Sequence, residues 1–391
     1  MENINQVVSE IFNEIAEGLE TGSFGKKIRI GVTTFDNEHG AKNILKGAEM
    51  AQRRNNQIEV IALGHQLQTP LKTVEVSSAD EAHKKMEALL ERGELDACVT
   101  CHYNFPIGVS TVGKVITPGK GQEMFLATTT GTTSANRIDG MILNGINGII
   151  AAKASGIQNP TIGILNVDGA RQVERALNQL KENGYEINFV ESQRADGGCI
   201  MRGNDLLMGT PDVMITDSLT GNIMMKVFSA YMTGGDYEAL GYGYGPGIGK
   251  DYDKTILILS RASGAPVVEN AINYAYDIAK HQLQKISASE YQLAEHAKLR
   301  EIIDNINKAK TKPVEAQVKA PEKEVVTATI SGIDIMELEE AVQSLWAEGI
   351  YAESGMGCTG PILMVNEKNL ENATRILVKK EFVAIAKENC C

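Results

Sequence analysis

Between residues 26 and about 308, short β-branched runs alternate with stretches whose apolar positions recur at helical spacing. The runs predict strands at 27–33, 58–63, 96–100, 124–128, 161–166, 187–191, 212–216 and 255–259. Between several of them, 41–53, 79–91 and 170–183 carry the 3.6-residue period of amphipathic helices. This alternation predicts the α/β class: a doubly wound, mostly parallel sheet with helices on both faces. Ligands of such folds sit beyond the carboxyl ends of the strands. Residues 267–308 read as one or two long closing helices.

Two further patterns flank this region. At the N-terminus Ile4, Val7, Val8, Ile11, Phe12, Ile15 and Leu19 form a helical stripe, with Glu10, Glu14, Glu17 and Glu20 mostly off it. The predicted amphipathic helix (segment 1–25) either packs on its own domain or serves as a docking arm for a partner subunit. Its acidic face argues against a membrane role. After the large domain (26–307), residues 308–324 are charged, carry two prolines and lack aromatics, the composition of a linker. Beyond it the pattern predicts a strand at 325–331, a helix at 335–349, strands at 350–353 and 362–365, and a helix at 370–387. That is a small α+β domain, 325–391, tethered to the large one. A tether raises the local concentration of whatever the small domain carries.

Bulk properties narrow the field. A chain of 391 residues accommodates two or three domains. Its formal charge of −12 speaks against nucleic acid and against anionic membrane surfaces. No apolar run approaches the ~20 residues of a membrane span. The opening Met1-Glu2-Asn3 has no export signal, and six unevenly spaced cysteines make no disulfide framework. The expectation is a cytoplasmic protein with reduced thiols.

One cysteine stands apart. In Ser354-Gly-Met-Gly-Cys358-Thr-Gly-Pro361, glycines on both sides leave the thiol uncrowded and let backbone N–H groups face its substituent. That suits a nucleophile beside an oxyanion site. The same residues also suit a plain turn with a cysteine as filler. Far upstream, Asp212 to Lys226 reads as a strand ending at Asp217, a polar turn, and a helix beginning at Asn222. Free N–H groups there, with Ser218, Thr220, Gly221 and Lys226, are suited to hold a phosphate; capping by Thr220 is the alternative. His39 and His102 each follow a predicted strand and are candidates to line the ligand edge, or are structural.

Other signals carry less. Cys98 and Cys101 lie on or just past one strand, where an offset of three points them to opposite faces. The glycine-dense run 241–249 never satisfies the dinucleotide fingerprint and reads as preceding a strand. Cys390 and Cys391 read as frayed. Nothing in the spacing predicts a metal site.

The large domain resembles the family of phosphate:acyl-carrier-protein acyltransferases and phosphate acetyltransferases. The similarity is carried by Asn37-Glu-His-Gly-Ala-Lys42, Glu94-Leu-Asp-Ala-Cys-Val99, Gly156-Ile-Gln-Asn-Pro160 through Asn166, Asp212 to Lys226, and Ser260-Arg-Ala-Ser-Gly264. It implies a fold similar to the isocitrate and isopropylmalate dehydrogenases. The chain departs from that pattern at Phe35-Asp-Asn-Glu38-His39 and at 128–133, where the family's acyl-carrier residues differ. With the Cys358 domain added, the whole chain resembles the family of alpha subunits of component C in glycine/sarcosine/betaine reductase complexes.

That resemblance implies a thioester mechanism without cofactor or metal, with inorganic phosphate as a substrate. Cys358 carries an acetyl group that arrives from the complex's selenoprotein component through a larger subunit resembling ketoacyl synthases. Thr359 and Gly360 N–H groups stabilise the oxyanion, each worth ~3 kcal/mol. Phosphate held by Ser218, Thr220, Gly221, Asn222 and Lys226 then releases acetyl phosphate, with Asn37, Glu38, His39, His102 and Asn104 as possible lining. Two rivals remain. One is an acyl-carrier-protein:phosphate acyltransferase of lipid synthesis; the other is a non-enzymatic scaffold that senses phosphate or a nucleotide.

Overall fold

A computed structural model describes residues 27–193, 198–311, 318–357 and 360–383, with positions 9, 12, 15, 16, 18 and 19 of the N-terminal stretch. The large domain is one 12-stranded sheet. Its strands are β1 Ile28–Thr33, β2 Ile58–Gly64, β3 Lys72–Glu75, β4 Ala97–Thr100, β5 Val109–Ile116 and β6 Glu123–Thr132, followed by β7 Thr161–Leu165, β8 Asn188–Phe189, β9 Ile200–Met201, β10 Val213–Ile215, β11 Gly245–Gly249 and β12 Ile256–Ile258. In the first half, β3-β2-β1-β4-β12 are mutually parallel. In the second, β6-β10-β7-β8 are mutually parallel, with β9 also on β7. The strands β11 and β5 join the halves through three antiparallel pairings. The doubly wound α/β expectation holds, with an antiparallel seam that the strand pattern did not contain.

The helices are α1 Ala41–Arg54, α2 Ala79–Glu91, α3 Arg137–Ala154, α4 Ala170–Glu182, α5 Gly203–Met208, α6 Ser218–Ala230, α7 Ala265–Lys280, α8 Leu283–His296 and α9 Leu299–Thr311. They cover both faces because side chains alternate along each strand. Phe125, Ala127, Val213 and Ile215 join one continuous core with residues of α1, α3, α4 and α7. Their neighbours Met124, Leu126 and Met214 point the other way, onto Leu206 of α5 and Met225 and Phe228 of α6. Under the first half that second face has a separate core, built on Ala82, Met86 and Leu89 of α2.

Several elements differ from the pattern, each for a physical reason. Fifteen of the eighteen residues of α3 are buried, so it has no polar face to betray a helical period. The glycine run does not merely precede a strand: its second half is β11 itself. A Cβ on Gly247 would fall 2.2 Å from the Phe105 ring, and one on Gly245, at φ 84°, 1.8 Å from the Val112 carbonyl. The seam therefore requires bare backbone. The closing region is three helices rather than one or two, broken at Gln282 (φ 59°) and Lys298 (φ 67°), residues that nothing in the sequence marks as left-handed.

The small domain comprises β13 Ala328–Ser331, α10 Leu338–Ala347, β14 Ala352–Gly357, β15 Gly360–Val365 and α11 Leu370–Lys379. Its antiparallel sheet runs β13-β15-β14. It has its own core, with Ile330, Leu345, Leu363, Val365 and Leu377 nearly or wholly buried. Its first helix starts three residues later than the pattern suggests, and the strand after the cysteine starts two residues earlier. Residues 384–391, with Cys390 and Cys391, lie outside the described residues. The described positions of the N-terminal stretch are helical, and Phe12, Ile15 and Leu19 are exposed.

Candidate functional site

The strands β6, β10 and β7 end side by side, and the segments that follow them meet in an ion network. After β10 the helix α6 starts at Ser218, not at Asn222 as the pattern suggested. The N-cap is Asp217. Its Oδ1 accepts from the N–H groups of Leu219 (3.1 Å) and Thr220 (3.0 Å), and its Oδ2 from the Thr220 hydroxyl (2.8 Å). The Gly221 N–H bonds the Asp217 carbonyl. The first-turn donors expected to be free are thus held by the cap, which is what an N-terminal aspartate does. Glycine at 221 made the sequence read as a turn, but its role is spatial. A Cβ there would fall 1.8 Å from the Thr128 carbonyl, because α6 crosses directly over β6. Asn222 fixes the same crossing by donating to the Thr129 carbonyl (3.0 Å). Ser218 and Lys226 are exposed.

Arg137, the first residue of α3, joins the strand ends. Its Nη2 lies 3.1 Å from Asp217 and its Nη1 3.5 Å from Asp168, which follows β7. Burial pulls the Asp217 carboxyl upward, but the Thr220 hydrogen bonds and the Arg137 guanidinium outweigh it and hold the group below the usual aspartate range.

A second cluster forms where β1, β4 and β12 end. Asn37 donates to the Ser263 carbonyl (3.0 Å) and accepts from the His39 N–H (3.0 Å) and from Asn43 (3.1 Å). Asn43 also donates to the Ser263 carbonyl (2.9 Å), and the Glu38 N–H bonds the Arg261 carbonyl. The amide of Asn37 is therefore committed to clamping the 260–263 turn. His39 is exposed, its ring edge-on to Tyr237 at 5.8 Å. His102 and Asn104 are exposed on the segment after β4.

Behind this turn lies a carboxyl that motif reading missed. Glu238 is 2% exposed; the Ser263 hydroxyl donates to its Oε2 (3.0 Å). Burial raises its pKa, while hydrogen bonds from Ser260 and Ser263 and the nearby Lys226 charge oppose the shift. Among the described residues no hydrogen bond or ion pair joins Asn37, Glu38, His39, His102 or Asn104 to Ser218, Thr220 or Asn222. Glu238 belongs to no motif; the only sequence signal was its place a few residues before the glycine run.

Among the described residues, Cys98 and Cys101 are both buried and kept from the thiolate form. Cys98 is fully buried, which pushes its thiol far up; Cys101 is pushed up to about 12, mainly by burial. They lie in different cores, as the offset of three requires. Cys358 and Thr359 lie outside the described residues. On either side of them Gly357 pairs with Gly360, closing the β14–β15 ladder. Among the described residues no helix is long and apolar enough to cross a membrane, and no group of three His, Cys, Asp or Glu is placed to hold a metal.

Comparison with known proteins places these observations. The family model described as fatty acid synthesis protein matches residues 28–364. The glycine/sarcosine/betaine reductase complex component C subunit alpha of Peptoclostridium acidaminophilum is 58% identical over 385 residues, 98% of this chain and 100% of that protein. A phosphate acyltransferase of Geobacillus sp. (strain WCH70) is 24% identical over 241 residues, 51% of this chain and 70% of that protein. Among solved structures, a branched-chain phosphotransacylase from Enterococcus faecalis V583 matches 64% of this chain and 99% of its own, at 15% identity and a TM-score of 0.47. The chain belongs to the family of fatty acid synthesis proteins and, over 98% of its length, to that of the component C alpha subunits of glycine/sarcosine/betaine reductase complexes.

Proposed function

We propose that this chain is the acyl-transfer subunit of a glycine/sarcosine/betaine reductase type of complex, and that it releases acetyl phosphate from a thioester on Cys358. The observation that carries the reading is the Gly357–Gly360 pair, which ends the β14–β15 ladder at the two glycines flanking Cys358-Thr359 in sequence, in a unit with its own core. Glycine on both sides leaves room for an acyl group at the sulfur. The Cys358 thiolate attacks the carbonyl of an acetyl donor supplied by the partner components (the selenoprotein, through a larger subunit resembling ketoacyl synthases). The new C–S bond forms as the donor's bond to that carbonyl breaks, and the leaving group stays with the donor. A phosphate oxygen then attacks the thioester carbonyl, the C–S bond breaks, and the thiolate leaves as acetyl phosphate forms. Thr359 and Gly360 N–H groups receive the oxyanion of the tetrahedral intermediate.

Phosphate is received at the strand ends that carry α6. The exposed Ser218 hydroxyl and Lys226 ammonium contact it, while Thr220, Gly221 and Asn222 hold the helix start in place. With Asp217 capping the first turn, charge for the anion comes from side chains rather than free backbone donors. Holding phosphate and thioester together accounts for most of the rate. Neither step calls for a metal or an organic cofactor.

Intact-mass spectrometry after exposure to an acetyl thioester tests this. One added acetyl group, absent from Cys358→Ala and lost on adding phosphate with acetyl phosphate as product, is the expected result. A Cys358→Ala chain that still makes acetyl phosphate at the normal rate overturns it. Long-chain acyl phosphate from acyl-carrier thioesters would instead support the lipid-synthesis reading.

A further inference from the structure

The two domains meet through buried acids whose place in the small sheet gives the contact a direction. Asp334 and Glu337 lie in the loop between β13 and α10 and are 7% and 8% exposed. The Asp334 carboxylate accepts from the Gly169 N–H at 2.9 Å, and the Arg171 N–H also donates to it. It thereby caps the start of α4 from another domain. Glu337 accepts from Gln172 (3.0 Å) and forms an ion pair with Arg175, whose second nitrogen donates to the Glu381 carbonyl (2.8 Å).

The direction follows from register. Strand β13 ends with Ser331 opposite Ile362. The β14–β15 pair continues two residues further, through Pro361 and Met356 to Gly360 and Gly357, roughly 7 Å beyond. The acid loop and the glycine-bounded hairpin thus leave the same end of the small sheet. On the large domain, α4 follows β7, whose carboxyl end lies beside that of β10. Arg137 ties Asp168, next to Gly169, to Asp217 at the start of α6. The acid loop at that end of the small sheet is thus docked on the start of α4, next to the Asp168–Arg137–Asp217 network that leads to Ser218.

We infer that Asp334 and Glu337 are positioning residues: they latch the cysteine-bearing domain onto α4, and the latched pose is the one from which the thioester is discharged to phosphate. The inference deepens the reading above and rests on it for the chemistry, but the latch itself is a structural claim. The contact is charged and desolvated. Removing one partner leaves a buried acid uncompensated, so undocking is the easier outcome. Loading by a partner component requires that the hairpin leave the strand ends, and a polar latch permits that release where a continuous apolar interface would resist it.

The test uses the full chain as Arg175→Glu, Glu337→Arg and the double exchange. Small-angle scattering reads docking; single-turnover mass spectrometry reads acetyl loading and phosphate discharge separately. Each single reversal should enlarge the particle and slow discharge at least tenfold, with loading unchanged. The double exchange, which restores opposite charges across the contact, should recover both. Single reversals that leave both scattering and discharge as in the unaltered chain overturn the latch. So does undocking with discharge at full rate. Absence of loading in every variant counts against the thioester reading instead, and scattering alone then decides whether the latch exists.

Discussion

Asp217 and Glu238 bracket the segment that begins with α6, and the protein treats them in opposite ways. Asp217 is half-buried, caps a helix and pairs with Arg137, and these partners hold its carboxyl below the usual range. Glu238 is almost wholly buried and receives hydroxyl hydrogen bonds, but burial dominates and its carboxyl is raised. One acid supports the fold through its charge; the other carries its charge at a cost. The difference lies in the partners: a guanidinium and a helix start on one side, neutral hydroxyls and a more distant ammonium on the other. An acid kept in the second condition resembles those found at functional sites, whereas the first is what structural caps look like.

Three substitutions test the contrast. The largest effect is expected at Gly221, where α6 rests on β6. Gly221→Ala must push the helix off the Thr128 carbonyl and so disturb both acids together. A loss of about 3 kcal/mol, read by denaturant unfolding, is expected; a change below 0.5 kcal/mol would show that the crossing is not tight.

Asp217→Ala comes next, with a loss of about 1–2 kcal/mol at neutral pH. Because its folded pKa is lowered, the Asp217 contribution is complete above the ordinary value of 3.8 and disappears as pH falls through the folded value. The gap between variant and parent in thermal unfolding should close in acid. A gap that persists undiminished at the lowest pH where the chain still folds contradicts the assignment.

Glu238→Gln is the smallest in magnitude and opposite in sign. A raised folded pKa means that ionisation costs the folded state stability as pH rises from the ordinary 4.5 through the folded value. The neutral amide escapes that cost, so the variant should match or exceed the parent at pH 7 and lose its advantage in acid. Marked destabilisation at pH 7 would mean that the Lys226 attraction outweighs burial.

The sheet was legible wherever strands alternate with amphipathic helices, as at 58–63 and 79–91. At the seam β11 is Gly-Pro-Gly-Ile-Gly and has almost no side chains to form a pattern, whereas β5, Val-Ser-Thr-Val-Gly-Lys-Val-Ile, carries a β-branched strand signal that the predicted strands omit. The helix α3 escaped for the converse reason, being apolar nearly all round. At the site, the polar and glycine residues of 212–226 mark the stretch, but Gly221 reads as a turn in sequence when it marks the helix crossing β6. Only a Cβ placed in three dimensions distinguishes those roles. Glu238, Asp334 and Glu337 were invisible in one dimension, since a buried acid and an exposed one look alike until a neighbour from another element arrives. Arg175 and Glu337 are 162 residues apart.

Phe125 and Leu126 are adjacent in sequence yet belong to different mechanical regimes. Phe125 points into the layer that extends unbroken beneath both halves, whereas Leu126 faces a smaller patch that crosses the seam only as far as Ile258 of β12. Damage to the first spreads; damage to the second stays local. Drift and redesign should therefore find more tolerance in the patched layer than in the continuous one, except where α6 rests on β6 at Gly221.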